Sequence, residues 1–330
     1  MNLTEFILSD HCVHFSCPER SLSLAVYILL YMCSTAVVLL TVCGNLLVII
    51  SVFHFKQLHT PTNTLVLSLA VSDFLIGLLL LPSMLIWMIE SCWIFGRDLC
   101  TGVWLTAGLL LPVSTYNIAL ISVDRYLALS KPFFYTNKIS RRLMCIVVYC
   151  NWFVCLLCNI LFYYFNGNFT NYFICPGQCY YFLKEASTII DLIVSFIFPF
   201  SVIIILYTRV FVIAKKHATA IRELNNHTQP KTQKSFSHSV KSERKAAKVL
   251  GILVSVFLAC LLPYFLCSIF GNVIKIPADA FRKVMILVYL NSSINPFIYG
   301  LFYPWFRKCI KLIITLRIFQ KDSELINVLS

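Results

Sequence analysis

The sequence predicts an all-α membrane protein, a seven-transmembrane helix bundle with a short amphipathic eighth helix. Of the 330 residues, 59% are hydrophobic and only 12% are charged, whereas a soluble domain carries about 25% charged residues. The apolar residues form seven stretches, each long enough to cross a hydrocarbon core of about 30 Å. Runs such as Leu75 to Pro82 do not alternate apolar and polar residues, so they exclude the strands of a membrane barrel.

The apolar stretches follow one another along the chain and are separated by polar links. They cover residues 22–52, 63–89, 98–129, 143–165, 187–214, 247–271 and 280–302. We therefore expect residues 22–302 to form one bundle, with an inner loop at 215–246. Residues 1–21 are predicted to be an extracellular N-terminus. Residues 303–330 are predicted to form an amphipathic helix on the inner membrane surface and a short cytoplasmic tail.

The net charge of +13 is distributed in a way that favours a membrane protein over a nucleic-acid-binding protein. If the N-terminus lies outside, most lysines and arginines fall on the cytoplasmic side, as the positive-inside rule requires. No basic region precedes an apolar run in residues 1–21, so we expect no cleavable signal peptide. The sequons at Asn2 and Asn168 then face outside and are predicted to be glycosylated.

The cysteines that face the outside form an even set, which fits an oxidising compartment. They are Cys12, Cys17, Cys92, Cys100, Cys175 and Cys179. Their spacing alone leaves the connectivity open. The remaining cysteines are expected to be small residues that pack between helices.

Polar groups deep in the apolar stretches are costly and therefore indicate function. The acidic residues at such positions are Asp73, Asp124 and Asp191. The stretch from Asn291 to Phe306 also carries amides and hydroxyls, and Pro296 removes a backbone donor from the middle of its helix. The simplest alternative for this stretch is a kinked helix whose polar groups bond only to its own backbone.

Motifs on all seven predicted helices resemble those of rhodopsin-like G-protein-coupled receptors. They are Gly44-Asn45, Leu69-Ala70-Val71-Ser72-Asp73, Asp124-Arg125-Tyr126, Trp152, Pro199 with Tyr207, Phe257 with Cys260 and Pro263, and Asn295-Pro296 with Tyr299. The pattern N-S-x-x-N-P-x-x-Y-x-x-x-Y-x-W-F from Asn291 to Phe306 further resembles the fingerprint of trace amine-associated receptors. Any one of these residues could be an ordinary polar or kink residue, but the ordered series is specific.

The resemblance implies an output site at the inner end of helix three, where Asp124 holds Arg125 in an ion pair until a G protein binds. The alternative is an arginine that only snorkels to the membrane interface. The other residues expected to take part in activation are Tyr126, Tyr207, Asn295, Pro296 and Tyr299.

The resemblance also implies one allosteric sodium ion that favours the inactive state, and we expect no other cofactor. Its implied ligands are Asp73, Ser114, Asn291 and Asn295. The alternative is a protonated, hydrogen-bonded Asp73, because a lone buried carboxylate otherwise pays a large desolvation cost.

For the disulfides, the resemblance implies a bridge between Cys100 and Cys179 that ties helix three to the second outer loop. Cys175 resembles the extra loop cysteine of trace amine-associated receptors, which pairs with the N-terminal segment. Our preferred assignment for the remaining four pairs Cys12 with Cys175 and Cys17 with Cys92, and the exchanged pairing stays open.

The predicted ligand site departs from the family pattern, because Ala107 replaces the helix-three aspartate that usually holds an ammonium group. The acid that remains at this depth is Asp191 on helix five, as in the fish-type branch of the family. Asp191, Ser195 and Phe198 are predicted to share a helix face by their spacing. The alternative role for Asp191 is a structural hydrogen bond. The other expected pocket residues are Trp104, Ala107, Leu111, Ser195, Tyr264, Phe265 and Tyr289.

Two further features distinguish the chain from the family pattern. Leu261 follows Cys260 where tryptophan is usual, so activation is expected to use other packing, such as that of Phe257 and Tyr264. At the outer rim, Glu90 is expected to be a solvated residue rather than a second site for a ligand charge.

These observations predict a receptor for a small cationic amine that couples to a heterotrimeric G protein. The resemblance implies a stimulatory or olfactory G protein, cyclic AMP signalling, and a multi-pass protein in the plasma membrane of olfactory sensory cilia. Its other expected partners are membrane lipids, not nucleic acid. No nucleophile–base pair or phosphate loop occurs, so no enzymatic activity is expected.

Two alternatives remain at this point. One is a receptor of the same fold for a peptide or lipid, in which Asp191 is structural. The other is a transporter, which is disfavoured because the chain carries neither inverted repeats nor paired broken helices.

Overall fold

A computed structural model describes residues 17, 19–20, 22–165, 177–179, 185–227, 251–267, 269, 278–320 and 322–329. Seven helices, α1 to α7, correspond to the seven predicted helices, and α8 corresponds to the predicted amphipathic helix. Their bounds are Leu24–His54 (α1), Pro61–Glu90 (α2), Gly96–Ser130 (α3), Arg141–Phe165 (α4), the consecutive segments Glu185–Asp191, Leu192–Ile197 and Phe198–His227 (α5), Gly251–Cys267 (α6), Ala278–Phe302 (α7) and Pro304–Ile314 (α8).

The predicted fold class is confirmed. Within the described residues, six helices are long and apolar enough to cross a membrane, and α6 is a shorter apolar helix. The outer surfaces of α4 and α5 expose large apolar side chains such as Phe153 and Ile205. Such a surface suits contact with lipid tails, which are as apolar as the side chains themselves.

Helix α5 extends well beyond its predicted end, because it remains helical to His227. The sequence analysis had placed residues 215–246 in a loop. The segment 214–227 is polar but rich in alanine, lysine, arginine, glutamate and leucine, which are good helix formers. Hydropathy therefore marked the point where α5 leaves the membrane and not the point where the helix ends.

Two helices contain a π-helical turn that ends two residues before a proline. In α2 the turn covers Ile76–Leu80 and precedes Pro82, and in α5 it covers Leu192–Ile197 and precedes Pro199. Proline lacks the backbone N–H and clashes with the carbonyl of the preceding turn, so a local change in helical pitch accommodates it. Such turns are frequent at functional sites.

Interhelical contacts are close and partly polar. An added Cβ at Gly44 would lie 2.8 Å from the Pro296 side chain, so α1 and α7 approach as only a small residue permits. Between α2, α3 and α4, the indole of Trp152 donates to the Ser68 hydroxyl at 3.0 Å, and Ser68 donates to Asn117 at 3.0 Å. These bonds satisfy polar groups that lipid cannot satisfy.

Within the described residues, two disulfides tie the outer ends of the helices together. One joins Cys100 at the start of α3 to Cys179, and the other joins Cys17 to Cys92. The Cys17–Cys92 bridge selects the preferred assignment for Cys17 over the exchanged one. The predicted Cys12–Cys175 bridge lies outside the described residues.

A charged contact reinforces the Cys17–Cys92 bridge and corrects the prediction for Glu90. The Arg20 guanidinium donates to both Glu90 oxygens, at 2.7 and 3.1 Å, and Tyr31 also donates to Glu90. The Glu90 side chain is only 11% exposed. It is not a solvated residue, because Arg20 folds back from the N-terminal segment and neutralises it.

Replacing Cys17 by serine should lower the thermal stability of the receptor as much as replacing Cys92 does, because each change opens the same bridge. The double variant should lose no more than either single variant, and the loss should be about 2 kcal/mol or more. Thermal unfolding of purified receptor tests this, with Cys33→Ser on the exposed face of α1 as the control. Peptide mapping that linked Cys17 to Cys175 would contradict it.

Candidate functional site

The outer part of α5 carries a carboxylate that forms no salt bridge in the described part of the chain. Asp191 lies directly before the π-helical turn Leu192–Ile197. The Ser195 hydroxyl donates to Asp191 Oδ1 at 2.8 Å. One hydroxyl does not offset the cost of a charged carboxylate in a membrane-spanning helix. Asp191 therefore needs either a proton or a cation that the described residues do not supply.

The predicted common face of α5 holds for two of its three residues. The hydrogen bond confirms that Asp191 and Ser195 lie together, whereas Phe198 is 58% exposed on the outside of the bundle. The π-helical turn between them holds more residues per turn than an α-helix. It therefore rotates Phe198 away from the face that a 3.6-residue period predicts.

The residue that does face the bundle at this level is Phe196, which the sequence analysis missed. Its ring stacks on Phe265 of α6 with centroids 3.8 Å apart, and Tyr264 meets Phe265 edge-on at 5.2 Å. The signal in the sequence was an aromatic residue one position after Ser195. The stack links α5, which carries Asp191, to two of the predicted pocket residues.

The other predicted pocket residues lie in the outer half of the bundle. Ala107 on α3 and Tyr289 on α7 are 3% and 1% exposed and belong to one apolar cluster. Trp104 and Leu111 pack against the same cluster. The Trp104 indole also donates to the Cys179 carbonyl at 3.3 Å, which fixes it beneath the second outer loop. Phe265 belongs to the neighbouring inner cluster, and Leu111 and Tyr264 also pack against that cluster.

A second residue that the sequence analysis missed is Tyr116 on α3. Its hydroxyl donates to the Val194 carbonyl at 2.8 Å, in the middle of the π-helical turn of α5. This bond joins α3 to the turn that sets the direction of Asp191 and Ser195. Tyr116 lies nine residues after Ala107 and belongs to none of the motifs that the sequence analysis used.

The predicted sodium ligands lie together in the centre of the bundle. Asp73 is completely buried, and Asn295 donates to its Oδ2 at 2.6 Å. The Ser114 hydroxyl donates to Asp73 Oδ1 at 3.4 Å. The side-chain oxygen of Asn291 is buried and lacks a hydrogen-bond partner among the described residues. A carboxylate, a hydroxyl and an unsatisfied amide oxygen are the oxygen donors that a hard cation prefers, so these residues fit a sodium ion.

At the inner end of α3, Asp124 and Arg125 form the predicted ion pair at 2.6 Å. Two further residues complete this group and were missed. The Thr62 hydroxyl donates to Asp124 Oδ2 at 2.8 Å and also contacts Arg125. The Tyr135 hydroxyl donates to Asp124 Oδ1 at 2.7 Å. Burial and then the Asp124 charge raise the pKa of Tyr135 to about 12, so Tyr135 remains a donor at physiological pH.

The remaining activation residues lie on α3, α5 and α7. Tyr207 on α5 packs against Gly251 of α6 so closely that an added Cβ would collide with its hydroxyl. Tyr299 is 2% exposed, and its hydroxyl lacks a hydrogen-bond partner among the described residues. Tyr126 is partly buried, and Pro296 is buried against Gly44.

The helix-six position that usually holds tryptophan is filled by Leu261, which is 5% exposed. One turn further in, Phe257 stacks on Phe200 of α5 with centroids 5.4 Å apart. The expected alternative packing of Phe257 is thus present as a ring pair between α5 and α6. The predicted glycosylation sites Asn2 and Asn168 and the cysteines Cys12 and Cys175 lie outside the described residues.

Comparisons with known proteins agree with this arrangement. Residues 44–299 match the family model of the 7 transmembrane receptor (rhodopsin family). The chain is 36% identical to trace amine-associated receptor 1 of Macaca mulatta over 94% of the chain and 95% of the relative. It is 37% identical to trace amine-associated receptor 13c of Danio rerio over 98% and 97%. These identities are similar, so the fish-type assignment stays a prediction that rests on Asp191 and Ala107.

The family match includes Asp191 in the outer half of the bundle and the Asp124–Arg125 pair at its inner end. The family is one of receptors and not of enzymes. The chain therefore belongs to the trace amine-associated receptors, within the rhodopsin family of seven-transmembrane G-protein-coupled receptors.

Proposed function

We propose that this receptor binds a cationic amine through Asp191 and signals through a stimulatory or olfactory G protein to raise cyclic AMP. The observation that carries the proposal is the state of Asp191, a partly buried carboxylate whose one side-chain partner among the described residues is the Ser195 hydroxyl. Position 107, where the family usually places the ammonium-binding acid, holds a buried alanine. An amine in this receptor has to find its counter-charge on α5.

The energetics favour this pairing. An ammonium group that leaves water needs a charged partner, because the desolvation cost otherwise prevents entry. Asp191 supplies the charge, and Ser195 orients the carboxylate. The rings of Phe196, Phe265 and Tyr264 lie on the adjacent helix faces and offer surfaces for cation–π contact.

Ligand binding can favour activation only if the ligand binds the active arrangement more tightly than the inactive one. The Phe196–Phe265 and Phe200–Phe257 stacks join α5 to α6. A ligand that binds Asp191 and shifts α5 would therefore change the position of α6 through these two ring pairs. Movement of α6 would open the inner cleft, where Arg125 leaves Asp124 and meets the G protein.

A sodium ion beside Asp73 would oppose this change. The proposal rests on the buried Asp73 carboxylate, the Ser114 hydroxyl and the unsatisfied oxygen of Asn291. The ion would supply positive charge to Asp73 and hold α2, α3 and α7 together. An arrangement that expels the ion would leave the Asp73 carboxylate with hydrogen bonds from neutral side chains such as Asn295 and Ser114.

The receptor is a multi-pass protein of the plasma membrane, and we further propose that it functions in olfactory sensory cilia. The family name of the relatives supports an amine as ligand.

On α8, Trp305, Phe306 and Cys309 are buried against the bundle, while Arg307 and Lys311 are exposed. Such a helix suits contact with anionic lipids of the inner leaflet.

Replacing Asp191 by asparagine should weaken amine potency at least about 30-fold, because the loss of one member of a buried charge pair costs about 2 kcal/mol or more. Asparagine keeps the shape and hydrogen bonding of the side chain and removes only the charge. The measurement is the concentration–response curve for cyclic AMP over a panel of amines, at matched surface expression.

The control is Asp98→Asn, which makes the same change at an exposed acid near the outer end of α3. It should leave potency unchanged. Asp191→Glu should shift potency and the order of preferred amines, since the carboxylate moves by one methylene. Unchanged potency in Asp191→Asn would contradict the proposal and favour a non-amine ligand.

Sodium should lower agonist affinity in the wild type, and Asp73→Asn should remove this effect. The ion would bind the inactive arrangement, so its presence opposes agonist binding by linkage. Agonist affinity is to be compared in sodium chloride and in potassium chloride at equal ionic strength. If the two salts give the same wild-type affinity, the sodium proposal is wrong.

A further inference from the structure

The end of the chain folds back onto the first inner loop. We name residues 323–328 the C-terminal strap. The Val328 amide donates to Gln57 Oε1 at 3.0 Å, and Lys56 Nζ lies 2.6 Å from Glu324 Oε1. The strap therefore closes a contact between the tail and the link that joins α1 to α2.

Burial, more than charge, holds the strap in place. Val328 is 1% exposed and Ser323 is 4% exposed, and Ile326 packs against the inner apolar cluster. Ser323 Oγ lies 2.9 Å from His54 Nε2 at the end of α1. The Lys56–Glu324 pair is about half exposed on both sides, and such pairs contribute little and are screened by salt.

The loop that receives the strap continues directly into α2. Leu58 is completely buried, and its carbonyl accepts a hydrogen bond from the Asn63 side chain at 2.9 Å. Thr60 caps the N-terminus of α2, since its hydroxyl accepts a hydrogen bond from the backbone N–H of Asn63 at 3.2 Å. The loop and the first turn of α2 thus form one hydrogen-bonded unit.

That first turn carries Thr62, which contacts the output site. Its hydroxyl donates to Asp124 and also contacts Arg125. Thr62 lies five residues after Gln57, which binds the strap. A continuous series of contacts therefore runs from the tail through the loop to the ion pair of α3.

We propose that the C-terminal strap is a built-in brake on this receptor. It fixes the first inner loop and the start of α2, and so keeps Thr62 against Asp124 and Arg125. Release of the strap lets Thr62 withdraw, weakens the hold on Arg125 and raises G-protein activation without ligand. The brake rests on the proposed role of Arg125 as the output residue.

The test uses two neighbouring residues that differ in burial. Val328 is 1% exposed and Leu329 is 60% exposed, so Val328→Asp should release the strap and Leu329→Asp should not. The full-length receptor is purified without ligand. Hydrogen exchange of residues 55–64 measures the docking of the strap, and nucleotide exchange on the G protein measures ligand-independent output.

In Val328→Asp, exchange of residues 55–64 should accelerate, and ligand-independent output should rise about fivefold, at the low end of typical couplings between sites. Leu329→Asp should stay at the wild-type level in both measurements. Thr62→Val should raise output by itself, and adding Val328→Asp to it should give little further increase, because both changes act on one series of contacts.

Charge reversal provides a second route to the same result. Lys56→Glu should raise output slightly, and Glu324→Lys in that background should restore the wild-type level. If Val328→Asp leaves hydrogen exchange of residues 55–64 unchanged, the strap does not hold the loop. If this hydrogen exchange accelerates while ligand-independent output stays constant, the strap docks without acting as a brake. Either result contradicts the proposal. Amine stimulation of the wild type in the same preparation tests the proposed function separately.

Discussion

The need to satisfy every polar group inside the membrane shapes the whole bundle. Asp73 is completely buried and receives Asn295 from the distant α7 at 2.6 Å. Asn45 of α1 donates to the Ser292 carbonyl at 3.1 Å, which draws α1 to α7. At the inner end, Asp124 is satisfied by Arg125, Thr62 and Tyr135. The bonds from Asn295 to Asp73, from Asn45 to Ser292 and from Thr62 to Asp124 connect different helices, so they set the arrangement in which the apolar side chains pack.

Asp191 departs from this pattern, and our proposal assigns the binding of the amine to this departure. Its described partner is one hydroxyl, that of Ser195, whereas the other two intramembrane acids have several partners each. The π-helical turn before Pro199 and the Tyr116 bond to Val194 hold this under-satisfied carboxylate in place. A ligand that brings a positive charge would supply the stabilisation that Ser195 alone does not give to the Asp191 carboxylate.

Sequence patterns predicted the helices, because hydropathy reflects the membrane directly, and they selected residues that the fold brings together, while the roles of these residues stay predictions. They also predicted the ion pair between Asp124 and Arg125 and favoured the Cys17–Cys92 bridge. The prediction that Phe198 shares a helix face with Asp191 was wrong, since a π-helical turn changes the helical period locally. Thr62 and the C-terminal strap were missed, because their roles arise from tertiary contacts between segments with no distinctive composition. Glu90 was misassigned for the same reason, as its partner Arg20 lies 70 residues away.

The most direct test of the account is the position of a bound amine in an experimental structure of the receptor. The quantity to measure is the distance between the ligand ammonium nitrogen and the nearer carboxylate oxygen of Asp191. The account predicts a distance of about 2.7–2.9 Å, typical of a charge-assisted hydrogen bond, with the Ser195 hydroxyl still on the carboxylate. An ammonium group that lies against α3 near Ala107, out of reach of Asp191, would contradict it.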